Sequence, residues 1–408
     1  MPPGPRPGKI TREGEDETVM KTLAYQKNCR FFAQIADGLE ELGTQELSSL
    51  GAADVKPSYR GIYFSADPAA LYRINYSARL ISRVLAPLLT FDCHSDRYLY
   101  KTARSLPWTD LLTLETTFAV FTNVANSNIR HSQYASQKLK DAIVDQFREA
   151  CGDRPQVETT HPDVWISLYI HNNKATISLE TSGGSLHRRG YRQEAVDAPM
   201  QETVAAAIIQ LSGWNGERPL YDPMCGSGTL LTEALMHVCR IPSGYLRARF
   251  GFERLPDFDP AAWAGVKQEC DKQIRPPAEG LIGGSDASAA AVEMALKNCR
   301  MLPGGNRIKI SARRFQDIKA LNDTVIICNP PYGVRMNTAR QASGLLKEFG
   351  GFLKERCRNT RAYVYLGKPG LLVQIALKPA WKKPLKNGGL EGCLAKYEIM
   401  DKRGAGKT

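Results

Sequence analysis

The chain has 408 residues, 43% of them hydrophobic, and a formal net charge of +12. That length accommodates two or three domains, no apolar run reaches the roughly 18 residues a membrane span needs, and the excess of positive charge favours a polyanionic partner. The ten cysteines are scattered, with no CxxC pair and no His/Cys cluster, which speaks against a disulfide framework and a zinc or other metal site and fits a reducing cytoplasm.

Residues 1–28 mix Pro, Gly and both charge signs and read as a disordered leader. Residues 29–86 read as a small α+β unit. Phe31 to Ile35 alternates like a strand, Gly38 to Leu47 has the leucine spacing of a helix, and Gly61 to Phe64 is a second strand. Asp67 to Leu85 reads as one helix with Arg79 and Arg83 on one face. Residues 87–182 form a second α+β stretch. Thr117 to Thr122 is strand-like and Ser136 to Ala150 is an amphipathic helix, while Val164–Ile170 and Ala175–Leu179 suit a hairpin around His171 to Lys174. Asn126 to Ser132 is polar; an RNA contact and a plain loop are both open there.

Residues 183–400 read as a third domain. Gly183-Gly184-Ser185 opens a linker into Leu186-His187-Arg188-Arg189-Gly190-Tyr191-Arg192, whose arginines around a tyrosine suit phosphate and base contacts. Arg188, Arg189, Tyr191 and Arg192 are therefore candidate RNA-binding residues. A helix over Met200 to Leu211 precedes Leu220-Tyr221-Asp222-Pro223-Met224-Cys225-Gly226-Ser227-Gly228-Thr229, a strand, Gly-rich turn and helix start. The turn lacks dinucleotide-fingerprint spacing and a GK[ST] sequence. Its glycines permit the close backbone approach that the amino-acid moiety of S-adenosylmethionine requires. Asp222 is placed to accept from that moiety's ammonium group.

Residues 241–277 exceed a simple crossover and read as an inserted flap near the site, with a helix from Pro260 to Ile274. A strand ending on Asp286 is placed to bind ribose hydroxyls. The strand Arg307 to Ile310 leads to Asp317, a candidate beside the adenine, and Thr324 to Cys328 is a buried strand running into Asn329-Pro330-Pro331-Tyr332. The tail continues as helix Leu345 to Arg356, strand Arg361 to Leu366, helix Gly370 to Leu377, an Asn387-Gly388 hairpin and strand Cys393 to Met400, with 401–408 frayed. Strands and helices alternating with acids at the strand tips give a doubly wound α/β sheet.

The turn after Cys328 carries the chemistry. Two prolines stiffen it and supply no N–H. The Asn329 side chain and the Pro330 carbonyl are two acceptors that together can hold both hydrogens of a planar amine, and Tyr332 offers a ring on which a base can stack. Asn329, Pro330, Pro331 and Tyr332 are the candidate catalytic residues. Asp222, Met224, Cys225, Gly226, Gly228, Thr229, Asp286 and Asp317 are the candidate cofactor-binding residues.

With both motifs in place the chain resembles the THUMP-domain class I RNA methyltransferases, in particular the bacterial enzymes that methylate guanine N2 in large-subunit ribosomal RNA. The resemblance spans about residues 30 to 400. It is carried by Gly38-Leu39-Glu40 with Glu46-Leu47, by Ser185 to Arg192, by Asp222 to Thr229, by Asn329 to Gly333, and by Asn387-Gly388 with Glu391 and Cys393. It implies a ferredoxin-like piece over 29–86, a THUMP RNA-binding region over 87–182 and a Rossmann-like methyltransferase domain over 183–400, with S-adenosyl-L-methionine as methyl donor. Asp222, Gly226, Gly228 and Asp286 match the family's cofactor positions. Two positions depart from the family pattern: Arg314 stands where an acid commonly precedes Phe315, and Val334 where Glu commonly follows the catalytic turn. The residues leave three other readings open: an adenine-N6 methyltransferase on RNA or DNA, which presents the same amine geometry; a guanine-N2 methyltransferase of transfer RNA; and an RNA-binding assembly factor without activity. Oligomeric state is not encoded in these signals.

Overall fold

A computed structural model describes residues 22–192, 200–331 and 339–400. The leader before residue 22, the tail after residue 400, and Tyr332, Gly333 and Val334 lie outside the described residues.

The first half builds one mixed sheet. Its strands are β1 (Arg30–Gln34), β2 (Ala53–Ser58), β3 (Gly61–Ser65), β4 (Arg83–Asp92), β5 (Phe118–Ala125), β6 (Val164–His171) and β7 (Lys174–Glu180), in the spatial order β2-β3-β1-β4-β7-β6-β5. The helices between them are α1 (Ala24–Asn28), α2 (Glu40–Ser49), α3 (Pro68–Ser77), α4 (Asp96–Ala103), α5 (Trp108–Leu111) and α6 (Ser132–Cys151). β4 joins the two α+β units, because Arg83 to Leu85 pair with β1 and Leu85 to Asp92 pair with β7, both antiparallel. The expected helix over 67–85 is corrected. Asp67 caps α3 by accepting from the Ala70 N–H at 2.7 Å, and the helix ends at Ser77. Arg83 opens β4, so it shares no helix face with Arg79. The hydrophobic string Leu80, Ile81, Val84 and Leu85 has no spacing that separates helix from strand.

The second half is the doubly wound sheet. It contains β8 (Leu220–Asp222), β9 (Ile282–Asp286), β10 (Lys309–Ala312), β12 (Val325–Cys328), β14 (Thr360–Leu366), β15 (Trp381–Asn387) and β16 (Leu390–Ile399), ordered β10-β9-β8-β12-β14-β16-β15. Two short strands, β11 (Leu321–Asn322) and β13 (Cys357–Arg358), pair beside it. Pairing is parallel from β10 through β14 and antiparallel for β14–β16 and β16–β15. Its helices are α7 (Glu202–Ser212), α8 (Thr229–Val238), α9 (Pro260–Lys272), α10 (Ala289–Arg300) and α11 (Ala339–Arg356). Chain order reverses between β8 and β12, and that switch point is where open α/β sheets bind ligands, at the carboxyl ends of the strands.

Residues 241–277 join the two halves, a correction to the flap expectation. Phe252, fully buried, packs at a tilt against Tyr72 of α3 at 4.6 Å between ring centres and meets Trp263 of α9 at 5.1 Å. Tyr76 donates to Asp271 at 2.6 Å, Tyr25 to Asp257 at 2.6 Å, and the Phe252 N–H to the Thr181 carbonyl at 2.8 Å. Burial first, and then the hydrogen-bonded carboxylates, raise both phenols. Rings and paired polar groups bury this seam between α3, β7 and the insert.

Candidate active site

The Gly-rich turn leaves β8 at Asp222 and enters α8 at Thr229. Gly228 has φ +80°, and a Cβ there would lie 2.9 Å from the Cβ of Ala295 on α10, so only glycine lets the turn sit so close to that helix. Gly226 also has positive φ, +53°. The turn is held from the tip of β9: Asp286 accepts from the Gly226 N–H at 2.9 Å with one oxygen and from the Ser288 N–H at 2.9 Å with the other. Asp222 accepts from the Met224 N–H at 3.0 Å and is 1% exposed. Burial pushes its carboxyl well above the usual range, and the neighbouring Asp286 charge pushes the same way. Cys225 bonds through its N–H to the Ser285 carbonyl at 3.0 Å. Burial raises its thiol, so it packs as a small apolar group rather than as a nucleophile.

β12 delivers Asn329 next door. Val325 and Ile326 pair with Leu220 and Tyr221 of β8, which brings the Asn-Pro-Pro turn out beside the Gly-rich turn. The Asn329 Oδ1 is buried and has no hydrogen-bond partner among the described residues. A buried unpaired acceptor costs on the order of 1–3 kcal/mol, so this one calls for a partner that a ligand can supply. Pro330 is buried beside it. Tyr332 lies outside the described residues.

Asp317 is exposed and pairs with Arg314 at 3.3 Å, so the departure at Arg314 is an ion pair on the surface next to buried Phe315. Arg189 and Tyr191, read from sequence as RNA contacts, are corrected to interior groups at 1% and 0% exposure. Arg189 donates to Glu233 of α8 at 3.3 Å, to the Leu186 carbonyl at 2.8 Å and to the Arg79 carbonyl, while Tyr191 donates to the same Glu233 oxygen at 3.2 Å. Arg192 is corrected too: it donates to Thr229 and to the Met200 carbonyl, both at 3.0 Å, and lies 3.5 Å from Glu202. It braces the first residue of the cofactor helix. Of the four, Arg188 alone is exposed. Asn298, which donates to the Ser227 carbonyl at 3.0 Å, supports the turn directly and Glu202 does so through Arg192, both from positions with no local motif.

The donor set fits S-adenosylmethionine: glycine turn, acids at two adjacent strand tips, and an unpaired acceptor across the switch point. A family profile described as an RMKL-like methyltransferase domain matches residues 189–396, a THUMP-domain profile residues 94–180 and an RlmL ferredoxin-like profile residues 30–85. The chain belongs to the RMKL-like methyltransferase family. S-adenosyl-L-methionine is its cofactor. A Synechocystis sp. protein named as an RNA methyltransferase is 37% identical over 93% of this chain and 99% of its own length. The ribosomal RNA large subunit methyltransferase K/L of Aliivibrio salmonicida is 35% identical over 91% of this chain and 54% of its own, so the chain spans about half the length of that relative. The crystal structure of a methyltransferase complexed with SAH has a TM-score of 0.80 and 28% identity, covering 92% of this chain and 99% of that one. Among the described residues no helix is long and apolar enough to cross a membrane, and no cluster of His, Cys, Asp and Glu suits a metal ion.

Proposed function

We propose that this RMKL-like methyltransferase transfers a methyl group from S-adenosylmethionine to the exocyclic N2 amine of a guanosine in large-subunit ribosomal RNA. The observation that carries the reading is the buried Oδ1 of Asn329, without a partner among the described residues, beside the Gly-rich turn. The base follows from the family resemblance, and the RNA class from the names of the curated relatives.

The cofactor supplies an electrophilic methyl group on a sulfonium. The target base leaves its stack, at a cost of a few kcal/mol, and enters the turn. Asn329 Oδ1 and the Pro330 carbonyl accept the two amine hydrogens and fix the nitrogen lone pair toward the donor. The amine is a weak nucleophile because its lone pair is delocalised into the ring. Both acceptors bind it more strongly as positive charge develops on nitrogen, which lowers the barrier. No dedicated base is needed, since the alkylated cationic amine is itself strongly acidic and its proton passes to solvent.

Asn329→Ala tests this assignment. Turnover falls about 10²–10³-fold, the scale for losing one preorganised hydrogen-bond partner, while the calorimetric affinity for S-adenosylmethionine stays within twofold. Loss of cofactor affinity in that variant, or retained turnover, removes the role given to Asn329.

A further inference from the structure

A cleft lies away from the Gly-rich turn, among β6, the linker after β7 and the segment leading into α9. It encloses about 780 Å³ and is lined by five arginines against two acids. Two of the arginines build its walls. Arg247 donates to the carbonyls of Ser182, Gly183, Gly184, Ser185 and Arg188 at 2.8–3.2 Å. Arg83 pairs with buried Glu180 at 3.3 Å and lies 4.6 Å over the Phe121 ring.

The other three face solvent. Arg249 and Arg254 share a single carboxylate oxygen of Asp163, each at 3.1 Å, with side chains 66% and 48% exposed. One carboxylate cannot neutralise two guanidinium groups, so donors and charge remain to be used. Arg188 is exposed, and among the described residues no ion pair engages its side chain. Burial depresses Arg247, Glu180 opposes the shift, and Arg189, Arg83 and Arg188 add to it. His161 and the half-buried rings of Trp165 and Phe258 complete the lining. Guanidinium forks with spare donors beside flat rings match a phosphodiester chain carrying unstacked bases. The linker lining the cleft at Gly183 to Arg188 runs on to Arg192, which touches Thr229 at the start of the cofactor helix. One short covalent path thus connects the cleft to the catalytic edge of the sheet.

We propose that this cleft is a binding site for single-stranded RNA flanking the target base, built jointly by the THUMP strand β6, the linker and the insert, with Arg188, Arg249 and Arg254 on the phosphates. The proposal rests on the RNA reading above. It gives the insert a second role besides joining the two halves: it supplies two of the three phosphate ligands.

The test is binding of a fluorescein-labelled single-stranded RNA oligonucleotide to the full chain, across a salt series, for the parent, Arg188→Glu/Arg254→Glu and Arg188→Gln/Arg254→Gln. Arg249 still satisfies Asp163 in both variants, and thermal unfolding checks that the fold is kept. The expected result is a loss of about tenfold or more per arginine, the scale of one charge-assisted hydrogen bond. The slope of log K against log salt falls by about 0.7 for each phosphate contact removed. The glutamine variant should lie between the other two, with S-adenosylmethionine affinity at the parent value in all three. Parent-like affinity and slope in the glutamate variant overturn the cleft while leaving the RNA reading intact. A parent that binds no RNA overturns the RNA reading itself, and this proposal with it.

Discussion

Asp222 is a carboxyl that the fold holds ready to lose a proton. Its raised pKa comes first from burial. An ammonium group bound against it lowers that pKa, so binding drives deprotonation in the window between the two values. The sign follows: below the raised free-enzyme pKa, affinity for S-adenosylmethionine increases as pH increases, and protons are released on binding. Calorimetric titrations in buffers of different ionisation enthalpy measure that release, and Asp222→Asn should abolish it. No buffer dependence in the parent would mean that Asp222 serves the turn alone. Arg189 makes a prediction of the opposite kind. Its side chain is 1% exposed against Glu233 at 0%, and breaking a buried pair costs about 3–5 kcal/mol. Arg189→Ala should lower stability by that amount in chemical denaturation; an RNA-binding defect at parent stability would return it to the surface role. The two residues also mark what was legible. Asp222 and Asn329 are read from strings whose chemistry is local to the turn. Arg189 and Tyr191 escape a sequence reading because a basic-aromatic string looks the same whether it meets phosphate or a buried glutamate from a helix some forty residues on, and Arg192 turns to Glu202 and Thr229.

At the scale of elements, alternation and glycine punctuation placed most strands of both sheets. β2 is hidden in the sequence because Lys56-Pro57 breaks its pattern, as an exposed edge strand permits. β4 is hidden because it follows α3 without a breaker and carries Pro87 at a register shift. The insert reads as a flap in sequence because its length shows there and its partners do not. Those partners are the rings of α3, nearly two hundred residues earlier. Phe252→Ala should therefore cost about 3–5 kcal/mol, as for other fully buried phenylalanines, and lower the Tm while cofactor affinity in the folded protein stays unchanged. Loss of cofactor affinity at parent Tm would restore the flap.

Taken whole, the molecule is two sheets joined by the insert, with a basic cleft on the joint and a cofactor turn at the switch point of the second sheet. The +12 charge pointed to a polyanion without locating it, because the cleft is assembled from three segments distant in sequence. The matched family profiles run in the same order as the regions expected from sequence, ferredoxin-like, THUMP and methyltransferase. The central claim is that this assembly methylates guanine N2 in large-subunit ribosomal RNA. The most direct measurement is methyl transfer from labelled S-adenosylmethionine to total RNA from a strain lacking the gene, followed by digestion and identification of the labelled nucleoside in each RNA fraction. The account predicts N2-methylguanosine in the large-subunit ribosomal fraction. N6-methyladenosine, label confined to transfer RNA, or no label on any RNA would contradict it.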